Sequence, residues 1–564
     1  MANYYNDSRK FHFSTMDLET IVRHLEHDFQ SDDPHALRSL DEAKTWYEML
    51  LENAGRIAGE FIAPRAEAVD EKGCSFEDGV VTWAPETMEN MKILSDAGFM
   101  GALLERRFGG LALPVAVNTI IVEMVSQADA SLMNLYGLQD IAVTLQKFGD
   151  EDQKQRVLPR FARGEVSGAM ALTEPDAGSD LQAVNLKAIE KDGKWYLDGV
   201  KRFITNGSGD IHLVLARSEP GTTGGRGLSM FLYEKDEHIQ VRRIENKLGI
   251  HGSPTCELQF NMAPCELVGR RKFGLIKYVM SLMNGARLAV AAQALGIAQA
   301  ALDEAKAYAN EREQFGKRIV EIPAVYQMLK KMQAEVETTR ALLYHTALAV
   351  DNMERFEHMA EAGESVKTEL KAATGLADFL TPLSKFTATE MANKATYDSL
   401  QIHGGVGYMK DFSVERLCRD ARITNIYEGT TQLQVVAAIG GIVSGLFEKE
   451  MASVADLKTP TLEADRQRIL ELNGLVLKTI ERSQQVENRE FQDYVANYLV
   501  EMASLLYRMK LYLPLAEAHG EKRDLFTYFL TESDARIHYL VNLVNAMMTQ
   551  YGDRIDTLKS DFVR

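Results

Sequence analysis

The chain is poor in the features that mark several large protein classes. Only four of its 564 residues are cysteine (Cys74, Cys256, Cys265 and Cys418), with no CxxC spacing and no histidine-rich partner. Neither a disulfide framework nor a metal site is indicated, and a reducing compartment, the cytoplasm, is expected. Basic charge is in deficit, 63 Lys and Arg against 81 Asp and Glu for a net of −18. That argues against nucleic-acid binding, which needs a basic face to neutralise phosphates. No uninterrupted apolar run reaches the ~18 residues that span a bilayer, and the opening MANYYNDSRKFHF has no apolar signal core. No GxGxxG follows a strand-like run, so no nucleotide is expected in a Rossmann crevice.

What is present falls into blocks by hydrophobic period. Residues 1–40 form a polar and aromatic extension with an amphipathic piece at 18–25, expected to wrap the surface of its own domain or of a neighbouring subunit. From 41 to 166 the apolar positions recur at helical spacing, as in Trp46, Met49, Leu50, Ala54 and Ile57, and again in Ile120, Met124, Val125 and Ala128. This predicts an all-helical domain, broken by a loop at Phe108-Gly-Gly and Pro114. Between 167 and 271 short β-branched and aromatic runs (KWYLDGVKRFITNG, IHLVLARS, LSMFLYEK) are separated by Gly, Asp, Asn and Pro, predicting an antiparallel β domain. Residues 272–443 return to helix, with long helices over 276–311, 324–351 and 365–400 that predict an antiparallel bundle. After KTPTLEAD, the segment 444–564 carries amphipathic helices over 469–486, 491–513 and 525–548, striped by Leu499, Met502, Leu506 and Met509. Their polar faces are not strongly basic, which argues against membrane contact and for packing on the parent bundle. The fold class expected is therefore mainly α with a central β domain.

One stretch gathers the chemistry. RDARITNIYEGTTQLQ (419–434) sets a single carboxylate, Glu428, between a β-branched run and a Gly-Thr-Thr turn that opens another apolar helix. Glycine lets the backbone approach a ligand closely, and the N–H groups at a helix start favour anions or carbonyl oxygens. That is a way to set a base beside a polarised carbonyl. An isolated YEG tripeptide is more often a solvated turn, and the surrounding motifs reverse those odds. AMALTEPDAGSD (169–180), KRFITNGSGD (201–210), EREQFGKRI (311–319), QIHGGVGY (401–408) and IYEGTTQ (426–432) occur in that order. Together they resemble the signature set of the acyl-CoA dehydrogenase family, over roughly residues 50–442. GIHGSPTCELQF (249–260) and the segments at both ends are similar to the longer bacterial members.

The resemblance implies α,β-dehydrogenation of an acyl-CoA thioester with FAD as cofactor, since no side chain accepts hydride. It implies Glu428 as the base. Leu172 and Thr173 would lie beside the flavin ring, and Ser179 near the FAD diphosphate and the substrate's pantetheine arm. Phe203, Ile204 and Thr205 would form the strand against the isoalloxazine, with Phe where many members carry Trp. Arg312, Gln314 and Phe315 would reach the diphosphate across a subunit interface. Gln401, His403, Gly404 and Gly405 would follow the nucleotide, and Thr430 and Gln432 would finish the FAD contacts. On the substrate side it implies Asn284 and Arg287 toward CoA, Gly429 beside the thioester, and Tyr136 near the floor of the acyl pocket. There a bulky phenol, with Asn134 and Gln139 nearby, would suit a polar, branched or cyclic acyl group. Two departures stand out. Ala286 occupies the place where some branches hold their base, leaving Glu428 as sole candidate, and Ile322-Pro323 replaces a customary His-Gln contact to FAD. The partners implied are an electron-transfer flavoprotein and a second copy of the chain, a dimer rather than a tetramer if the C-terminal segment covers the surface a second dimer would use. An acyl-CoA oxidase on the same fold and a non-catalytic scaffold are the alternatives.

Overall fold

The chain, described over residues 2–31, 33–560 and 562–563 in a computed structural model, divides into two compact bodies. One comprises Met1–Ala300 with Glu415–Thr424, the other Ala301–Val414 with Asn425–Arg564.

The N-terminal extension lies against the first body, burying Tyr5, Phe13, Leu18 and Val22 while Asp7, Lys10 and Glu19 stay exposed. Asn6 caps the helix Asp7–Ser14 by accepting from the Arg9 N–H. Arg9 itself is fully buried and donates through Nε and Nη2 to Glu123 at 3.0 and 2.7 Å. Removing one member of such a pair strands the other charge at a cost of about 3–5 kcal/mol, so the extension is locked by its one inward-facing cation. Glu123 belongs to the helix Val115–Ala128, in which every residue from Ala116 onward is buried, as expected of a helix at the centre of its domain. The all-helical expectation for this region fails at one place. Ser75–Glu77 and Val80–Thr82 pair as a small antiparallel hairpin, with Asp78 and Gly79 both at positive φ, the turn that an Asp-Gly dipeptide favours.

The β domain runs from Gly168–Ala171 to Thr255–Leu267 as a seven-stranded sheet. Thr255–Leu267 is its hub, pairing antiparallel with Lys194–Thr205, Leu228–Glu234 and Ile239–Ile244. The sheet is not wholly antiparallel as expected: Gly168–Ala171 lies parallel to Ile211–Arg217. A two-residue period carries no information on strand direction, and the chain between these two strands is long enough for a crossover.

His212, in the strand Ile211–Arg217, is fully buried; its Nε2 lies 3.0 Å from the Gly207 carbonyl oxygen, and its ring packs near Tyr233 and Phe260. Burial pushes its pKa down to about 4. The unfolded chain takes up this proton near pH 6.5 while the folded chain refuses it until about pH 4, so stability falls as pH drops through that window. This ring should account for about 2 kcal/mol of the loss between about pH 7 and pH 5. Thermal melts of the parent and of His212→Gln at both pH values test it: the variant should lose that share of the pH dependence.

The second body is helical. Pro323 opens the helix Pro323–Glu361 at its first turn, where a missing N–H costs nothing and a fixed φ favours the helix; this is the structural role of the Ile322-Pro323 departure. It packs antiparallel to Lys367–His403, and both continue beyond the ends expected from periodicity. The C-terminal helices are Glu463–Gln484, Arg489–Ala518 and Arg523–Tyr551. They share one core with the bundle, in which Leu342, Leu380 and Leu383 meet Leu499, Leu506 and Phe526. Polar ties reinforce it: Arg508 donates to Thr338 Oγ1 and Glu335 Oε2, and Thr387 and Ser504 share a 2.7 Å hydrogen bond. One helix, over Gly274–Glu311, is long and apolar enough to cross a membrane by length and composition. Yet 72% of its most apolar stretch is buried within the protein, as in a core helix.

Candidate functional site

In the first body, the segment expected beside the flavin ring is pinned from below. Lys201, fully buried, donates to the Leu172 carbonyl at 2.7 Å and to Glu174 Oε1 at 2.9 Å, and the Arg202 N–H donates to the Thr173 carbonyl at 2.9 Å. Glu174 in turn accepts from the Asn185 and Leu186 N–H groups. Burial pushes the Lys201 ammonium down to about 8, against the opposing pull of Glu174. The strand then breaks register between Lys201 and Ile204. At this bulge Phe203 takes a φ of 60° and its ring stands 51% exposed, while Ile204 is buried. A left-handed phenylalanine costs of order 1–3 kcal/mol, and bulges of this kind re-aim a side chain. Thr173 and Thr205 are half-buried and Ser179 is exposed. The Phe203 ring, with the Arg202 guanidinium 4.7 Å from its centroid, is thus turned outward on a rigid strand.

The helix Val414–Thr424, which leads toward Glu428, is anchored in the same body from Glu415 on. Arg419 bridges Asp70 and Glu415, and buried Asp420 accepts from the Ile250 N–H at 2.6 Å. Gly249 permits that approach, because a Cβ there would lie 2.6 Å from Asp420 Oδ1. On the helix Met280–Glu311, Arg287 donates to Asn284 Oδ1 at 3.2 Å. Tyr136 is buried and donates to Asn118 Oδ1 at 3.1 Å, and Asn134 bonds Ser253 and Gln293.

In the second body Glu428 is half-buried at a φ of 54°, followed by Gly429 at 88°. Two side chains hold the backbone on either side of it. Lys385, fully buried, donates to the Tyr427 carbonyl at 2.6 Å and to the Gly429 carbonyl at 2.5 Å. Gln434 Nε2 donates to the Gly429 carbonyl at 2.8 Å. Thr430 caps the helix Thr431–Val443, accepting from the Leu433 N–H, and Glu390 accepts from both Thr431 and Asn425. Gln432 is exposed and, with Thr431 and Glu390, lines a cavity of about 530 Å³ walled on its far side by Glu501 and Arg508 of the C-terminal helices. Sequence reasoning missed Lys385, Gln434 and Glu390. The one available signal is a lone lysine inside the apolar stretch LADFLTPLSKFTATEMA.

The remaining motif residues of this body gather at one place. The Arg312 N–H donates to the Tyr308 carbonyl, and the Tyr308 ring stacks on His403 at 4.3 Å. Residues 313–318 form a small exposed hairpin with Phe315 and Gly316 both at positive φ, leaving the Phe315 ring 91% exposed. His403 is buried; its Nδ1 meets the Ser399 carbonyl at 2.8 Å, while its Nε2 has no hydrogen-bond partner. Gly404 and Gly405 follow with open space where their Cβ atoms would lie, and Gln401 is exposed.

Each body by itself offers groups that suit a flavin dinucleotide. The first presents an outward-turned aromatic side chain of the kind that meets a flat ring, and the second presents an exposed guanidinium, a helix start and an unpartnered imidazole nitrogen of the kind that meet phosphate and ribose groups.

Comparison with known proteins agrees. Family models for the N-terminal, middle and C-terminal domains of acyl-CoA dehydrogenase match residues 46–165, 169–263 and 276–439. An acyl-CoA dehydrogenase of Bacillus subtilis is 36% identical over 351 residues, covering 61% of this chain and 86% of its own. The 3-methylmercaptopropionyl-CoA dehydrogenase of Ruegeria pomeroyi is 34% identical over 460 residues, 75% of each chain. The structure of an acyl-CoA dehydrogenase from Bacillus anthracis complexed with FAD is similar with a TM-score of 0.77 at 22% identity, over 92% of this chain and 90% of that one, so the likeness of fold takes in the C-terminal helices. The chain belongs to the acyl-CoA dehydrogenase family of oxidoreductases, and FAD is its cofactor.

Proposed function

We propose that the chain desaturates an acyl-CoA thioester to the 2-enoyl-CoA, with Glu428 removing the α proton. The observation that carries this is the clamped loop: a carboxylate held in the left-handed region, with the carbonyls on both sides fixed by one buried ammonium. A base so held keeps its geometry without reorganising during proton transfer. FAD, when bound, supplies the acceptor for the hydride that leaves the β carbon. Leu172, Thr173, Phe203, Ile204 and Thr205 would hold its ring, with Ser179 beside its diphosphate and the pantetheine arm. Thr430 and Gln432 would complete the contacts, while Arg312, Gln314, Phe315, Gln401, His403, Gly404 and Gly405 would serve the nucleotide half. The exposed Phe315 turn supports delivery of that last group to a second copy of the chain, hence a homodimer. Asn284 and Arg287 would meet the CoA moiety, Gly429 the thioester and Tyr136 the acyl end. Electrons would leave to an electron-transfer flavoprotein in the cytoplasm.

The test is anaerobic addition of a panel of acyl-CoA esters, including short, branched and heteroatom-bearing ones, to the FAD-loaded protein. At least one should bleach the flavin absorbance. If none does, the proposal fails; turnover in air with stoichiometric peroxide and no other acceptor would make it an oxidase instead.

A further inference from the structure

The turn Gly137–Gln139, between the helices Ala130–Tyr136 and Asp140–Phe148, carries an amide that the fold does not satisfy. Gln139 is 6% exposed, and neither its Oε1 nor its Nε2 has a hydrogen-bond partner. Leaving a buried polar group unmade costs about 1–3 kcal/mol, so something outside the chain must complete it. Gln139 lines a cavity of about 20 Å³ together with Asn118, Tyr136 and Asp140; much of the remaining wall is apolar, including Phe99 and Leu104. That space exceeds the ~10–15 Å³ one water needs. The Tyr136 hydroxyl has already given its proton to Asn118 and has only a lone pair left to offer. The amide still has both a donor and an acceptor to give.

We propose that this cavity, with room for one water-sized group, receives the terminal hydroxyl of an acyl chain, with Gln139 as the specificity-determining residue. The inference rests on the acyl-CoA reading above and on Tyr136 lying at the acyl end. A hydroxyl donates and accepts at once: it can accept from the Gln139 Nε2–H and give its single proton to Gln139 Oε1 or to the Tyr136 oxygen. A terminal carboxylate fits poorly, since Asp140 is on the wall and no Lys or Arg is among the described residues lining it. A terminal methyl group would fill the space and leave the amide stranded. Discrimination would thus come from the penalty on the wrong chain, the kind of asymmetry that buried polar groups create.

The experiment measures kcat/KM of the FAD-loaded protein on matched straight-chain acyl-CoA esters of about four to eight carbons, with and without a terminal hydroxyl. At one chain length the hydroxylated ester should be preferred by about 10-fold or more, as expected when a buried group is otherwise left unpaired. In Gln139→Leu the ratio at that length should fall to within about twofold of unity, and Tyr136→Phe should lower it part of the way. A ratio near unity at every length in the parent protein overturns the assignment while leaving acyl-CoA oxidation intact. A preference that survives Gln139→Leu unchanged also overturns it. No oxidation of any ester overturns the acyl-CoA reading, and this inference with it.

Discussion

Replacing Glu428 with Gln should leave a yellow, FAD-loaded protein that no longer bleaches with substrate. The amide keeps the volume and branching of the carboxylate but cannot take the α proton, and a positioned base is worth about 10²–10⁴-fold in rate. The loss should fall on kcat, because the residues assigned to FAD and CoA are untouched. Bleaching at the parental rate would remove Glu428 from the reaction. The backbone supplies a second reading of the same position. Glu428 sits at a φ of 54°, where a residue with a Cβ is strained by of order 1 kcal/mol and glycine is not. Glu428→Gly should therefore be inactive, and the relief of backbone strain should offset part of what the lost side-chain contacts cost, as measured by denaturant melts.

The motif residues were readable because each pairs an unusual side chain with a glycine or turn at fixed spacing, and the helices because their apolar stripes repeat every third or fourth residue. Three kinds of feature were not. Arg9 looks in sequence like a surface charge and Lys385 shows only its apolar surroundings, since their partners lie 114 and 42 residues away; only the fold shows that each is a buried clamp. Phe203 at a positive φ contradicts the propensity of an aromatic residue, so the bulge that turns its ring outward has no local signal. The parallel pairing of Gly168–Ala171 is invisible because alternation reveals which face a residue takes but not which way its strand runs. The hairpin at 75–82 is different: its Asp-Gly turn was in plain view, and the helical period around it masked two strands of only three residues.

The second large effect is expected from Lys385→Met. Methionine keeps the stem and much of the volume of the buried lysine, so packing against its neighbours changes little. What disappears are the hydrogen bonds to the Tyr427 and Gly429 carbonyls, each charge-assisted and worth about 1.5–3 kcal/mol. Gln434 still reaches the Gly429 carbonyl, so that side of the loop keeps a partner while the Tyr427 side loses the clamp described here. Stability should drop by about 2–4 kcal/mol, less than the sum of both bonds, as the freed carbonyls find water. If Lys385 only stabilised the fold, the effect would end there. A positioning role predicts more: kcat lowered by up to about 10²-fold with KM little changed, since a shift of about 1 Å in a reacting group has that cost. A variant that is less stable but shows the parental kcat would show that the lysine holds the fold and has no part in aiming the base.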